Sequence, residues 1–227
     1  MPPKHPSPNQ PPPRTPSSNA DQIPSPKLTA PKSHQPSSSA SIHSSHAPHP
    51  LPTWTIPVLE TPRLRLRAHT LADYPAYTSL WADPIVVRYI GGKPFTPEET
   101  WARLLRHAGH WSLLGFGSWL IEEKSTGDLV GEVGLFDYHR AITPPLDTPE
   151  IGWILSPAKH GRGYATEAVH ALLDWGRDRF LSPTLTCIIH PDNAASLRVA
   201  AKCGFEPSHT ITYRDEPSIL LTRSFAD

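Results

Sequence analysis

An excess of charge of one sign is what this sequence most plainly lacks. Its 21 basic and 21 acidic side chains give a formal net charge of zero over 227 residues. No long-range field draws it to nucleic acid or to an anionic membrane surface, and neither partner is expected. Cysteine is nearly missing: Cys187 and Cys203 are the only two, both in apolar or small-residue segments. They are too few for a disulfide framework and predict buried thiols. A reducing compartment follows, with the cytoplasm expected and the nucleus left open. There is no apolar run of the roughly 18 residues that a spanning helix needs. Met1-Pro2-Pro3-Lys4-His5 is followed by no apolar signal core, so neither a membrane span nor a secretory leader is expected. GxGxxG and the Gly-Lys-Ser/Thr ending of a P-loop are also missing, which removes two common nucleotide sites. No compact ligand set asks for a metal.

What is present divides the chain in two. Residues 1–53 are built from Pro, Ser, His, Ala and Thr and hold 15 of the 29 prolines. Such a segment cannot bury enough apolar surface to offset the entropy of ordering it, and it reads as a disordered extension. Its Pro11-Pro12-Pro13-Arg14 could present a polyproline II ligand, and His34, His43, His46 and His49 lack the rigid companions of a zinc site. Residues 54–227 carry the signs of one folded domain. Leu64 and Leu66 alternate with Arg63, Arg65 and Arg67 in a short strand near a sheet edge. Thr70 caps a helix whose Leu71, Tyr74, Tyr77 and Trp81 share one side. Thr96, Pro97 and Glu99 form a capping box at the head of a second helix, whose expected inward face is Trp101, Leu104, Leu105 and Ala108.

A hairpin follows, from Trp119-Leu120-Ile121 through a turn at Lys124-Ser125-Thr126-Gly127-Asp128 to Leu129–Phe136. After the loop from His139 to Pro149, Glu150–Leu155 reads as a strand that puts Glu150, Gly152 and Ile154 on one face. Directly behind it stands His160-Gly161-Arg162-Gly163-Tyr164-Ala165-Thr166. Two glycines one residue apart allow a tight turn whose N–H groups converge on one anion, reinforced by the positive end of the helix behind. That helix buries Ala165, Val169, Leu172, Gly176 and Phe180, and turns Glu167, Arg177 and Asp178 to water. A strand at 185–189 leads to a helix from Ala194 to Cys203 that Asp192 or Asn193 can cap and Gly204 closes. Two last strands meet across Asp215-Glu216-Pro217. The class is α/β: a mixed sheet with helices on its faces.

The order and spacing of Leu59–Arg67, Gly131-Glu132-Val133-Gly134-Leu135, Glu150–Leu155, His160–Ala168 and Asn193–Phe205 resemble the GNAT family of acyl-CoA N-acyltransferases, particularly the branch of ribosomal-protein alanine N-acetyltransferases. The resemblance covers essentially the whole folded part. It implies a strongly twisted mixed sheet with helices on both faces, and acetyl-CoA as co-substrate in a cleft where the strand at Glu150–Leu155 splays from the strand before His190. The cofactor contacts it implies are the backbone of Ile154 and Leu155, the turn His160, Gly161, Arg162, Gly163, Tyr164, Ala165 and Thr166 for the pyrophosphate, and Asn193 and Ser196 near the pantetheine and sulfur. The chain departs from the family pattern in having His160 where glutamine or arginine is commonest. It has Ala200 where many members place a thiolate-protonating tyrosine.

An amine that attacks a thioester must be oriented and must lose a proton. Glu150 is the first candidate for that base, Glu132 the second, and Ser196 a candidate at the sulfur. Each has a plainer reading: a solvated strand carboxylate, and a first-turn serine bonded to the backbone. Asn193 reads first as a helix cap. Tyr164 is expected to pack over the turn and His190 to be structural. The acceptor is an amine-bearing small molecule or a protein N-terminus, and an exposed sheet edge permits a homodimer. Two rival readings are a catalytically weak acyl-CoA-binding module and an interaction scaffold driven by the proline-rich extension.

Overall fold

The computed structural model describes residues 55–177, 179 and 183–224. The extension at 1–53, its proline run and its histidines lie outside these residues, as do the side chains of Asp178 and Phe180. Eight strands form one sheet in the order β1-β2-β3-β4-β5-β6-β8-β7. They are β1 Leu59–Glu60, β2 Leu64–Arg67, β3 Ser118–Glu123, β4 Leu129–Phe136, β5 Glu150–Leu155, β6 Thr184–Ile189, β7 Glu206–Tyr213 and β8 Glu216–Ser224. Neighbours are antiparallel except β5 and β6, which run parallel. The sheet is open and mixed, as expected.

One face is covered by helix α4, Tyr164–Arg177, which seats Ala168, Val169, Leu172 and Leu173 on Leu64, Leu66, Ile121, Val133, Leu135 and Ile151. The other face carries α1 (Tyr74–Trp81), the four-residue α2 (Pro84–Val87) and α3 (Pro97–Leu114), where Tyr77, Leu80, Trp81, Val87 and Leu104 pack together. Helix α5, Ala194–Lys202, follows β6. At the sheet end Trp111, Trp119 and Trp175 meet edge to face, with centroids 4.6 to 5.9 Å apart. Both cysteines are buried free thiols.

The helix starts follow their chemistry. Thr96 and Glu99 close the capping box of α3 reciprocally, with Pro97 in its first turn, an arrangement worth about 1 kcal/mol. The inward face of α3 differs from the expected one. Trp101 and Leu105 are 39% and 51% exposed, and Ala108 is exposed as well. The buried positions are Thr100, Leu104, His107 and Trp111. Leu71 likewise points outward, 70% exposed. The cause on α3 is a carboxylate: Glu132 of β4 sits under this helix and turns Arg103 and His107 inward to meet it.

The arginines of β2, and Arg63 just before it, are all paired within the fold. Arg65 meets Glu60 and Glu122, Arg67 meets Asp73 and Glu122, and Arg63 meets Glu167. Glu167 is therefore not a solvated residue of α4. Its carboxylate accepts from the Thr61 hydroxyl at 2.6 Å and from Arg63 Nε at 2.7 Å, tying the β1–β2 turn to the start of α4.

Candidate active site

The site begins where β5 and β6 part. Their parallel pairing is registered at a single position, Glu150 opposite Thr186, with Thr186 N–H donating to the Pro149 carbonyl at 3.1 Å. Beyond it β5 pairs with β4 alone among the described residues. Main-chain groups along a strand alternate in direction, so Ile151, Trp153 and Leu155 turn theirs toward the gap on the side of Pro149. Ile154 turns the other way. Its carbonyl oxygen lies so close to Gly131 that a Cβ there would overlap it. Of the two residues whose backbone was expected to face the carrier, Leu155 turns its main-chain groups to the gap and Ile154 turns its own to β4.

At the open end of the gap lies the glycine turn. Gly161 and Gly163 have φ of +73° and +79°, a region that side chains with a Cβ rarely adopt. The first bond closing the helix runs from Glu167 N–H to the Gly163 carbonyl. The amides from Gly161 to Thr166 have no main-chain partner among the described residues, which leaves a concave row of donors with the positive end of α4 behind it. Arg63 braces the row by donating to the Arg162 carbonyl at 2.8 Å. Tyr164 is buried below it, its hydroxyl donating to Glu123 and its ring under the Arg63 guanidinium at 4.6 Å. Lys159 holds the other Glu123 oxygen at 2.6 Å, and these hydrogen bonds from Lys159 and Tyr164 keep the Glu123 carboxyl below its ordinary range. The Arg162 side chain is about half exposed. The His160 ring meets the Leu155 carbonyl at 3.0 Å, so it closes the end of β5 rather than reaching into the turn.

On the face of the sheet under α1 and α3, cross-strand pairs put Glu132, Gly134 and Phe136 of β4 beside Ile154, Gly152 and Glu150 of β5. The two candidate bases share this face but stand four positions apart in register, about 14 Å along the strands. The Phe136 ring lies over Gly134 and Gly152 between them. Their surroundings differ.

Glu132 is 3% exposed and its oxygens are spent. Tyr77 donates to it at 2.5 Å, Arg103 at 2.7 Å, and the His107 Nε2 lies at 3.2 Å, with the His69 ring 3.5 Å away. Burial alone would raise its pKa, but the Arg103 charge and the His107 contact hold it well below the usual carboxylate range. Burial lowers the His107 pKa to about 4 against the opposing pull of Glu132, so the ring is neutral near pH 7. A carboxylate closed in by four side chains has no open side for an amine. Glu132 organises the α1–α3 packing instead.

Glu150 is 7% exposed. Arg140, from the loop before β5, grips it with two parallel bonds, Nε to Oε2 at 2.5 Å and Nη2 to Oε1 at 2.6 Å. The guanidinium lies over the rings of Tyr138 and Tyr213, at 4.9 and 4.6 Å. Burial disfavours its charge, yet the bonds to Glu150 raise its pKa further above the usual arginine value. Beside the pair is a cavity of about 190 Å³ whose lining includes Phe136, Tyr138, Pro145, Leu146 and Thr148.

The helix after β6 completes the frame. Asn193 caps α5 by accepting from Ser196 N–H at 3.1 Å, so its first reading stands. The Ser196 hydroxyl is half-buried and makes no hydrogen bond among the described residues, contrary to the backbone-bonded alternative. Ala200 is fully buried in the core under α4. His190 accepts from Asp192 N–H through Nδ1 and stacks on Tyr89 at 5.1 Å. Arg140, Tyr213, Arg103, His107 and Tyr77 went unnoticed in the sequence as site residues.

Fold and site together present a split mixed sheet whose gap opens, among the described residues, on a row of backbone amides without main-chain partners. Residues 63–206 match the acetyltransferase (GNAT) domain family, and the chain belongs to that family. It is similar to the Bacillus subtilis protein YkkB, 31% identical over 169 residues that cover 73% of this chain and 94% of that one. The crystal structure of an acetyltransferase from Agrobacterium tumefaciens shares the fold with a TM-score of 0.65 and 31% identity, over 75% of this chain and 96% of its own. A ribosomal-protein-S5-alanine acetyltransferase from Vibrio fischeri, at 19% identity and a TM-score of 0.59, covers 75% of this chain and 98% of its own. That likeness shows the fold alone, and it does not single out the ribosomal-protein branch.

Proposed function

We propose that the chain transfers the acetyl group of acetyl-CoA to a primary amine by direct attack within a ternary complex. One observation carries the reading: among the described residues, the six amides of 161–166 have no main-chain partner and stand at the mouth of a gap along which β5 offers main-chain groups to no strand. Acetyl-CoA would supply an activated thioester, an anionic diphosphate for the amide row, and a pantetheine arm able to bond to Trp153 and Leu155 as a strand would. The amine nitrogen forms the new C–N bond as the C–S bond breaks, and one proton passes from the amine toward the leaving sulfur. Main-chain N–H groups of β5 facing the gap stabilise the developing oxyanion. Glu150 orients the amine and takes its proton, directly or through water. Ser196, with its hydroxyl uncommitted, serves the sulfur.

Among acceptors, a small-molecule amine and a protein N-terminus both fit this chemistry, and the cytoplasm suits the buried thiols. One feature favours a second reading, a carrier-binding module of low turnover: Ala200 sits fully buried where a protonating tyrosine would be needed. Calorimetric titration of acetyl-CoA, paired with release of free CoA across a panel of amines and peptides, tests both. Binding with release at background throughout leaves the second reading. No binding removes both.

A further inference from the structure

The Arg140–Glu150 pair is the most unusual feature of the face under α1 and α3. It brings a cation to the one carboxylate placed to receive an amine, and it does so next to a cavity the size of a small molecule. A bidentate guanidinium–carboxylate contact uses two of the five N–H donors of arginine and two of the carboxylate lone pairs. The Nη1 amino group is not engaged by Glu150, and the carboxylate keeps two lone-pair sites. With one further donor given to Tyr213, the pair keeps guanidinium N–H groups and two carboxylate lone-pair sites for a ligand. An ammonium group alone would complement only Glu150 and would be repelled by Arg140 a few ångströms away. A molecule with ammonium and carboxylate on one carbon complements both.

We propose that the cavity beside this pair takes a free α-amino acid, with Arg140 as the residue that selects it by its carboxylate. The proposal rests on the acyltransfer reading and names its acceptor. The carboxylate meets Arg140, the amine meets Glu150, and the side chain enters the space at Phe136, Pro145 and Leu146, which suits an apolar residue. The cavity of about 190 Å³ has room for one such molecule. Tyr138 and Tyr213 keep the guanidinium in place from the β4 and β7 sides. Arg140 is thereby a specificity residue, and the tyrosines position it.

The test is titration calorimetry of a matched set against the full chain, with and without CoA: leucine, leucinamide, 3-methylbutylamine and the peptide Leu-Gly-Gly. Leucine is expected to bind at least tenfold more tightly than each of the other three. Arg140→Gln should bring the ratio of leucine to leucinamide near one, while Arg140→Lys, which keeps the charge without the fork, retains part of it. Equal affinity for leucine and leucinamide, tighter binding of the amine or peptide, no binding of any of the four at millimolar concentration, or a ratio unchanged in Arg140→Gln would each overturn the proposal. Circular dichroism of both variants separates loss of selection from loss of fold. Failure of the acyltransfer reading has its own signature, the absence of acetyl-CoA affinity, which is measured without any acceptor.

Discussion

Replacing His107 with glutamine tests whether the Glu132 cluster is a structural device. The folded His107 pKa is about 4 against an ordinary 6.5, because the ring is buried beside Arg103 and held neutral. As pH falls, the unfolded chain takes up this proton first, so the contribution is fully present above pH 6.5 and is lost progressively toward pH 4. The total is about 3 kcal/mol, of which about 2 kcal/mol is gone by pH 5. Aspartate and glutamate, with ordinary values of 3.8 and 4.5, titrate mostly below pH 5, so histidines dominate the range from pH 7 to pH 5. Urea unfolding of both proteins at pH 7, 6 and 5 reads the effect. The wild type should lose about 2 kcal/mol more than His107→Gln between pH 7 and pH 5. Glutamine cannot protonate, whatever it does to the baseline. Parallel losses in the two proteins would mean that the ring is solvated and the cluster is not the packed unit described.

Glu150→Gln should leave acetyl-CoA affinity within twofold and reduce transfer by roughly 100-fold or more, with altered pH dependence; an unchanged rate at every pH would remove Glu150 as the base. Gly163→Val places a branched side chain at a φ of +79°, a strain of about 1–2 kcal/mol in the amide row. Titration should show acetyl-CoA binding weakened by roughly tenfold, and full affinity would mean that the diphosphate is held elsewhere. Gly131→Ala drives a methyl into the Ile154 carbonyl, so thermal unfolding should report a loss of about 1–3 kcal/mol; an unchanged midpoint would show that β4 and β5 can part there at no cost.

Local chemistry made much of this fold legible. The alternation at Leu64 and Leu66, the capping box at Thr96, the hairpin around Gly127 and the glycine turn each depend on residues close in sequence, and each stands where expected. The side chains that meet across the sheet were not legible. Arg103 and His107 look like the wet side of a helix until Glu132 is brought beneath them, and Trp101 and Leu105 look like its core for the same reason. Arg140 lies in a loop with no periodicity, and its partner becomes visible only when β4 and β5 are paired. Ser196 was legible as a residue but not as an unbonded hydroxyl, which depends on Asn193 satisfying the helix start by itself.

The single rung between β5 and β6 makes the sheet a book with two covers, five strands bound on one side and three on the other. Whatever slides into the spine supplies the stitches that the chain omits. Thermal protection by a seated carrier should then spread across both covers, slowing amide exchange in β6 and β8 as well as at the glycines, out of proportion to the few atoms it touches.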